Sequence, residues 1–233
     1  DLDLLGFGDT SPERLRTVFA AVCSQPVEPD GCQFHADTIE VETIRAEDEY
    51  GGRRVTIGGH LGNARLRVQV DIGIGDKMTP PTEWIEYPSL LAFPQPRLRA
   101  YRAETTIAEK LHAMVVLDLQ NSRMKDFYDI WRLAQTQSFS LPVLAAAVRD
   151  TFERRRTELP RELPTALTPA FSATPVKMRQ WQAFVERNSR MQIAALGDVI
   201  EDLVQFLGPV LDVARAEVPM PMKWPPNGPW TLE

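Results

Sequence analysis

The sequence predicts an α+β protein, a mixed β-sheet with flanking helices followed by a helical domain, and three observations carry that prediction. Before residue 101, several stretches alternate apolar and polar side chains with the period of two expected of half-buried strands. Glycine-rich pairs, Gly51-Gly52 and Gly62-Asn63, punctuate them as hairpin turns. After residue 101 the apolar residues recur every three or four positions, which is the period of an amphipathic helix. The change of period divides the chain into a sheet domain at residues 1–101, a helical domain at 102–216 and a proline-rich extended tail at 217–233.

The elements follow in order. Ser11-Pro12 caps a first helix that carries Leu15, Val18, Phe19 and Val22 on one face and packs on the sheet. A turn-rich connection at 25–32 leads to β-branched or alternating strands at 38–44, 54–59 and 65–74. Residues 77–96 are proline-rich and irregular, with Trp84 and Tyr87 expected to line a pocket, and a short strand at 97–101 closes the sheet part. Helices are expected at 104–118, where Thr105 or Thr106 caps the start, and at 125–135, 141–157, 176–187 and 193–216. Their apolar stripes include Ile107, Leu111 and Met114, then Phe127, Ile130 and Trp131.

With 43% hydrophobic and 25% charged residues, the 233-residue chain has the composition of one globular domain or two closely packed ones. A formal net charge of −6 argues against coating nucleic acid at large, so any polyanion must be recognised locally. The basic run Arg149, Arg154, Arg155, Arg156 and Arg161 reads first as a solvated helix face and second as an RNA-facing strip. No run reaches the ~18 apolar residues of a membrane span and no leader precedes the first strand, so a cytoplasmic location and no membrane partner are expected. Cys23 and Cys32 lack metal-ligand spacing and read as free thiols, and His35, His60 and His112 as structural or surface residues.

The chemistry is expected from carboxylates. In Asp1-Leu2-Asp3-Leu4-Leu5, an extended chain turns Asp1 and Asp3 to one face and Leu2 and Leu4 to the other. In Val68-Gln69-Val70-Asp71-Ile72-Gly73-Ile74, the same parity turns the aliphatic residues inward and Asp71 outward. If the two strands are neighbours, three carboxylates meet, and a hard divalent cation such as Mg²⁺ is their natural companion. The plain alternative is a set of acidic residues on the wet face of a half-solvated strand. A chain beginning on a candidate ligand is also expected to extend upstream, since a free terminus would fray.

The helical part adds a pattern. Thr106-Ile107-Ala108-Glu109-Lys110-Leu111-His112-Ala113, followed by Arg123-Met124-Lys125-Asp126-Phe127-Tyr128-Asp129, resembles the T-x-x-E-K-x-x-A and R-x-K-D-x-Y-D segments of the AbiEii/AbiGii toxin-like nucleotidyltransferases. The opening D-x-D resembles theirs, so three segments stand in the right order over residues 1–130. The resemblance implies the polymerase-β-like nucleotidyltransferase fold, with the helical domain closing over a nucleoside triphosphate. It implies that Asp1, Asp3 and Asp71 hold Mg²⁺, that Lys110 and Thr106 meet the nucleotide, and that Asp126 or Asp129 completes the catalytic set. It also implies a toxin countered by a cognate antitoxin protein, with the 3′ end of tRNA as one acceptor and small-molecule or protein acceptors equally compatible with the residues.

The family's Gly-Gly or Gly-Ser turn lies upstream of the D-x-D and is absent because the chain as given starts too late to include it, so this chain is expected to be incomplete for catalysis. Lys110 lies off the apolar stripe, so its replacement is expected to spare the fold. A metal-dependent phosphodiesterase or nuclease and a degenerate partner-binding scaffold remain as alternative readings. Which of Asp126 and Asp129 acts stays open, because one can face a site while the other pairs with Arg123 or Arg132.

Overall fold

A computed structural model of the chain describes residues 2–44, 51–74, 79–89, 92–191, 193–216, 218 and 220–232. Asp1 lies outside the described residues. The chain divides into two compact units, Asp1–Lys77 and Met78–Glu233.

In the first unit, β1 (Leu2–Gly6), β2 (Cys32–Ile44), β3 (Gly52–Leu61) and β4 (Ala64–Ile74) form a sheet of order β1-β4-β3-β2. β1 runs parallel to β4 while the other neighbours are antiparallel, which is the mixed sheet expected. The β3–β4 turn is Gly62-Asn63, with Leu61 opposite Ala64 and Gly62 at φ +56°. A left-handed residue at the first of two turn positions matches the right-handed strand twist, and glycine adopts it without a Cβ clash. β2 begins earlier than its β-branched stretch suggests, because a bulge between His35 and Glu40 carries the pairing past the polar residues. Gly59 lets the two strands close there, since a Cβ on it would lie 2.6 Å from the Gln33 carbonyl oxygen.

Helix α1 (Pro12–Cys23) starts as predicted: the Ser11 hydroxyl accepts from the Arg14 N–H at 3.3 Å and Pro12 occupies the first turn. It packs on β2, and the core consists of Leu15, Val55, Ile57, Val70 and Ile72. The sheet's edge departs from expectation. Leu2 and Leu4 share the face of their partners Val70 and Ile72, yet they are 49% and 39% exposed, because α1 packs over β2, at the far edge of the sheet from β1.

In the second unit, β5 (Glu83–Glu86) and β6 (Arg97–Ala100) pair only with each other. The strand at 97–100 therefore belongs with the helices and not with the main sheet, and the division falls at Lys77 and not at residue 101. Period two identifies a strand but not its partner. Trp84 and Tyr87 are exposed; the Arg97 guanidinium stands 5.0 Å over the Trp84 ring, so Trp84 is a platform for a cation and not a pocket wall.

The helices are α2 (Ala103–Leu117), α3 (Met124–Thr136), α4 (Leu141–Arg154), α5 (Pro169–Ser172), α6 (Pro175–Arg187) and α7 (Leu196–Ala216). Their apolar stripes merge into one core that includes Ile107, Leu111, Phe127, Leu144, Phe152 and Phe206. Neither threonine caps α2: Arg102 is the N-cap, without a side-chain bond, and the Thr105 hydroxyl donates to the Thr79 carbonyl at 3.1 Å.

The proline-rich end is not an extended tail. β8 (Met222–Trp224) pairs with β7 (Phe139–Ser140) on one side and β9 (Thr231–Leu232) on the other. Buried Trp224 donates its indole N–H to the Ala134 carbonyl at 2.7 Å, and Trp230 stacks on Phe206. Two aromatic rings supply the burial that holds a proline-rich segment down.

Candidate functional site

In the first unit, pairing of β1 with β4 sets Asp3 directly beside Asp71. Neighbouring strands lie about 4.8 Å apart and register partners point to the same face, so the two carboxylates stand side by side on the face opposite the core. Arg54 and Glu42 continue the row across β3 and β2, giving the sequence Asp3, Asp71, Arg54, Glu42 across the sheet. Asp71 is held in a bidentate pair, with Arg54 Nε and Nη2 donating to its two oxygens at 2.8 and 2.7 Å. That bond keeps the guanidinium pKa above its ordinary value.

Sequence parity put Asp3 and Asp71 on the polar faces of their strands, as the register has them, but did not single out Arg54. The signal was present, since Arg54 sits at the polar phase of its own strand. Among the described residues no three His, Cys, Asp or Glu side chains form a metal-binding group, and Asp1, the third expected carboxylate, lies outside them. The donor chemistry of Asp3 and Asp71 nonetheless suits Mg²⁺, which takes one or two carboxylates and completes its shell with water and phosphate. For both oxygens of Asp71 to serve a metal, the Arg54 fork has to give way.

In the second unit, Lys110 on α2 meets both late aspartates of α3. Its Nζ donates to Asp126 Oδ1 at 2.7 Å and lies 2.9 Å from Asp129 Oδ2. Lys125 Nζ reaches the same Asp129 oxygen at 2.6 Å, one helical turn away. Arg123 Nε stands 2.9 Å from Asp126 Oδ2, an ion-pair distance without hydrogen-bond alignment, because that buried oxygen accepts no hydrogen bond among the described residues. Burial pulls the Lys110 pKa down, but the bonds to Asp126 and Asp129 outweigh it and leave the ammonium above its ordinary range. It stays charged at neutral pH.

The network carries three cations against two carboxylates, a net +1. Two of the three Lys110 N–H donors are committed to aspartate. The expectation that replacing Lys110 spares the fold is revised: its side chain is only 17% exposed and Asp126 only 4%, so removing the cation strands a buried carboxylate. The two aspartates differ in the same terms. Asp126 is buried between Lys110 and Arg123, while Asp129 keeps 22% of its side chain open.

Thr106 is half-buried on the first turn of α2, one turn before Lys110. His112 is buried, as a structural histidine should be. Burial first, then the charges of Arg155 and Arg154, push its pKa down to about 4. Its Nε2 bonds the Thr157 hydroxyl at 2.8 Å. Arg154 and Arg155 pair with Glu109 at 3.2 and 3.7 Å, so part of the basic run is tied to α2.

Lys177 went unnoticed in the sequence. It is buried, lies 5.0 Å over the Phe171 ring and donates to the Asn121 carbonyl at 2.6 Å, while burial lowers its pKa. Asn121 in turn accepts from the Arg123 N–H at 2.8 Å, so Lys177 anchors the turn that starts α3. No local pattern marks a lysine for this, because its partner is a carbonyl 56 residues away.

Comparison with known proteins gives one family: the model described as nucleotidyl transferase AbiEii toxin, type IV toxin–antitoxin system, matches residues 1–205. The match spans both units, including Asp3, Asp71, Lys110, Asp126 and Asp129. No curated protein matches the chain. Among solved structures, the crystal structure of JHP933 from Helicobacter pylori is similar at 15% identity and a TM-score of 0.45, covering 93% of this chain and 78% of that one.

Proposed function

The chain belongs to the AbiEii nucleotidyl transferase toxin family of type IV toxin–antitoxin systems, and from that premise we propose that it transfers a nucleoside monophosphate from a Mg²⁺-bound ribonucleoside triphosphate to an acceptor hydroxyl. The observation that carries the reading is the register of β1 on β4, which stands Asp3 beside Asp71 within the span the family matches. In this reading Asp1, Asp3 and Asp71 hold the metal, which supplies charge neutralisation on the triphosphate. The acceptor oxygen forms a bond to the α-phosphorus, the bond to the bridging oxygen breaks, and pyrophosphate leaves. The hydroxyl proton passes to an Asp71 oxygen that the Arg54 fork has released.

Lys110 offers its third N–H to a phosphate oxygen, and Thr106 a hydroxyl one turn away. Asp126 acts as a positioning residue that orients Lys110, whereas Asp129, the more open of the two, is the one within reach of a ligand. The 3′ end of tRNA is the proposed acceptor, and a cognate antitoxin the proposed counterpart of the toxin.

The test supplies the full-length protein with Mg²⁺, each α-labelled ribonucleoside triphosphate in turn and total tRNA. Label on RNA that disappears in Asp3→Ala supports the transferase. Shortened RNA without added nucleotide replaces it with a nuclease. Absence of both, together with failure to bind triphosphate, replaces it with a partner-binding scaffold.

A further inference from the structure

Between the start of α3 and the outer face of α6 lies a cleft of about 580 Å³, within the helical unit. Four of its lining side chains are cationic: Arg123, Lys125, Arg179 and Arg187. Arg123 and Lys125 are paired with Asp126 and Asp129, but Arg179 and Arg187 are exposed and make no ion pair among the described residues. They stand eight residues apart on α6, which sets them about 12 Å apart along the groove at 1.5 Å per residue. Among the described residues, no acidic side chain lines the cleft. In a protein of net charge −6 this is a local reversal of sign.

Two further features narrow the ligand. Phe184 lines the groove between the two arginines, and a ring beside spaced guanidinium groups is the arrangement that stacks a base while neutralising its backbone. Gln180 also lines it, and its Oε1 is buried without a hydrogen-bond partner among the described residues. A buried amide oxygen left unbonded costs free energy, and a ligand hydroxyl or N–H removes that cost. An acidic protein segment is the poorer occupant: a helix about 10 Å across would fit for less than two turns in this volume.

We propose that the α3–α6 cleft seats single-stranded RNA, with phosphates on Arg179 and Arg187, a base against Phe184 and a ribose hydroxyl or base N–H donating to Gln180. RNA is favoured over DNA because the 2′-hydroxyl adds a donor that an orphan carbonyl oxygen can accept. The role of that strand as acceptor rests on the nucleotidyl-transfer reading; its binding does not.

The experiment measures binding of a fluorescent 12-nucleotide RNA to the whole protein, without triphosphate, over a range of salt concentrations. Arg179→Ala/Arg187→Ala should weaken binding about tenfold or more, the loss expected for even one charge-assisted bond. It should also flatten the slope of log affinity against log salt by about 1.4, since each single-strand phosphate contact contributes about 0.7. Phe184→Leu, which keeps an apolar side chain against Trp181, should cost about fivefold, with an unchanged circular dichroism spectrum.

Wild-type affinity and salt slope in the folded double variant overturn the proposal, as does a wild-type protein that binds no RNA at low salt. Competition by poly-glutamate or by DNA of the same length as effective as RNA also overturns it, the former in favour of an acidic protein partner. Nucleotide transfer is measured in parallel. If the double variant loses RNA binding while no protein transfers nucleotide, the transfer reading fails and the cleft stands. If the double variant keeps both RNA binding and transfer to RNA, the cleft fails and transfer stands.

Discussion

Replacing Lys110 by methionine tests the buried network most directly, because methionine keeps an unbranched four-atom stem and removes the ammonium group. The change leaves Asp126, 4% exposed, with Arg123 alone, and Asp129 with Lys125 alone. Breaking a buried ion pair from one side costs about 3–5 kcal/mol. The retained cations place this case at the lower end, about 3 kcal/mol. With a urea m-value of about 2 kcal/mol/M, the unfolding midpoint should fall by about 1.5 M.

Adding Asp126→Asn to Lys110→Met should recover part of the loss, because a neutral amide no longer demands a cation. Urea titrations followed by circular dichroism supply the measurement. A midpoint within about 0.3 M of wild type at neutral pH would refute the reasoning and return Lys110 to a solvated cation.

Three other outcomes are expected. His112, with its folded pKa near 4 against an ordinary 6.5, favours folding fully above pH 6.5 and progressively less as pH falls through that window. The difference in stability between wild type and His112→Asn should change by about 3 kcal/mol between those limits, and a flat difference by calorimetry would contradict it. Trp224→Ala should cost about 3–5 kcal/mol in chemical denaturation, as for a buried core residue, whereas a disordered tail would tolerate it. Asp3→Asn should abolish nucleotide transfer while leaving the unfolding free energy within about 0.5 kcal/mol of wild type, since Asp3 is an exposed strand residue; residual transfer at the wild-type rate would remove it from the site.

The sequence by itself determined what is local and periodic. Alternation in 68–74 told which side of the strand Asp71 occupies, Ser11-Pro12 started a helix, and the helical spacing of Phe127, Ile130 and Trp131 marked a buried stripe. The ordered D-x-D, E-K and K-D-x-Y-D segments carried the family. Each signal depends on geometry repeated within a few residues, and so survives without knowledge of the rest of the chain.

Tertiary structure alone decided who meets whom. Alternation could not say that the strand at 97–100 pairs with 83–86, or that the edge leucines of β1 stay uncovered while α1 packs on β2. Lys110 lies off the apolar stripe of its own helix, yet α3 buries it between two aspartates. Arg54 takes hold of Asp71 only because β3 lies against β4, and Lys177 finds a carbonyl that no spacing announces. Burial, and with it the strength of every ion pair and the direction of every pKa shift, depends on residues distant in sequence that exclude water from a shared site. A one-dimensional pattern does not contain that quantity.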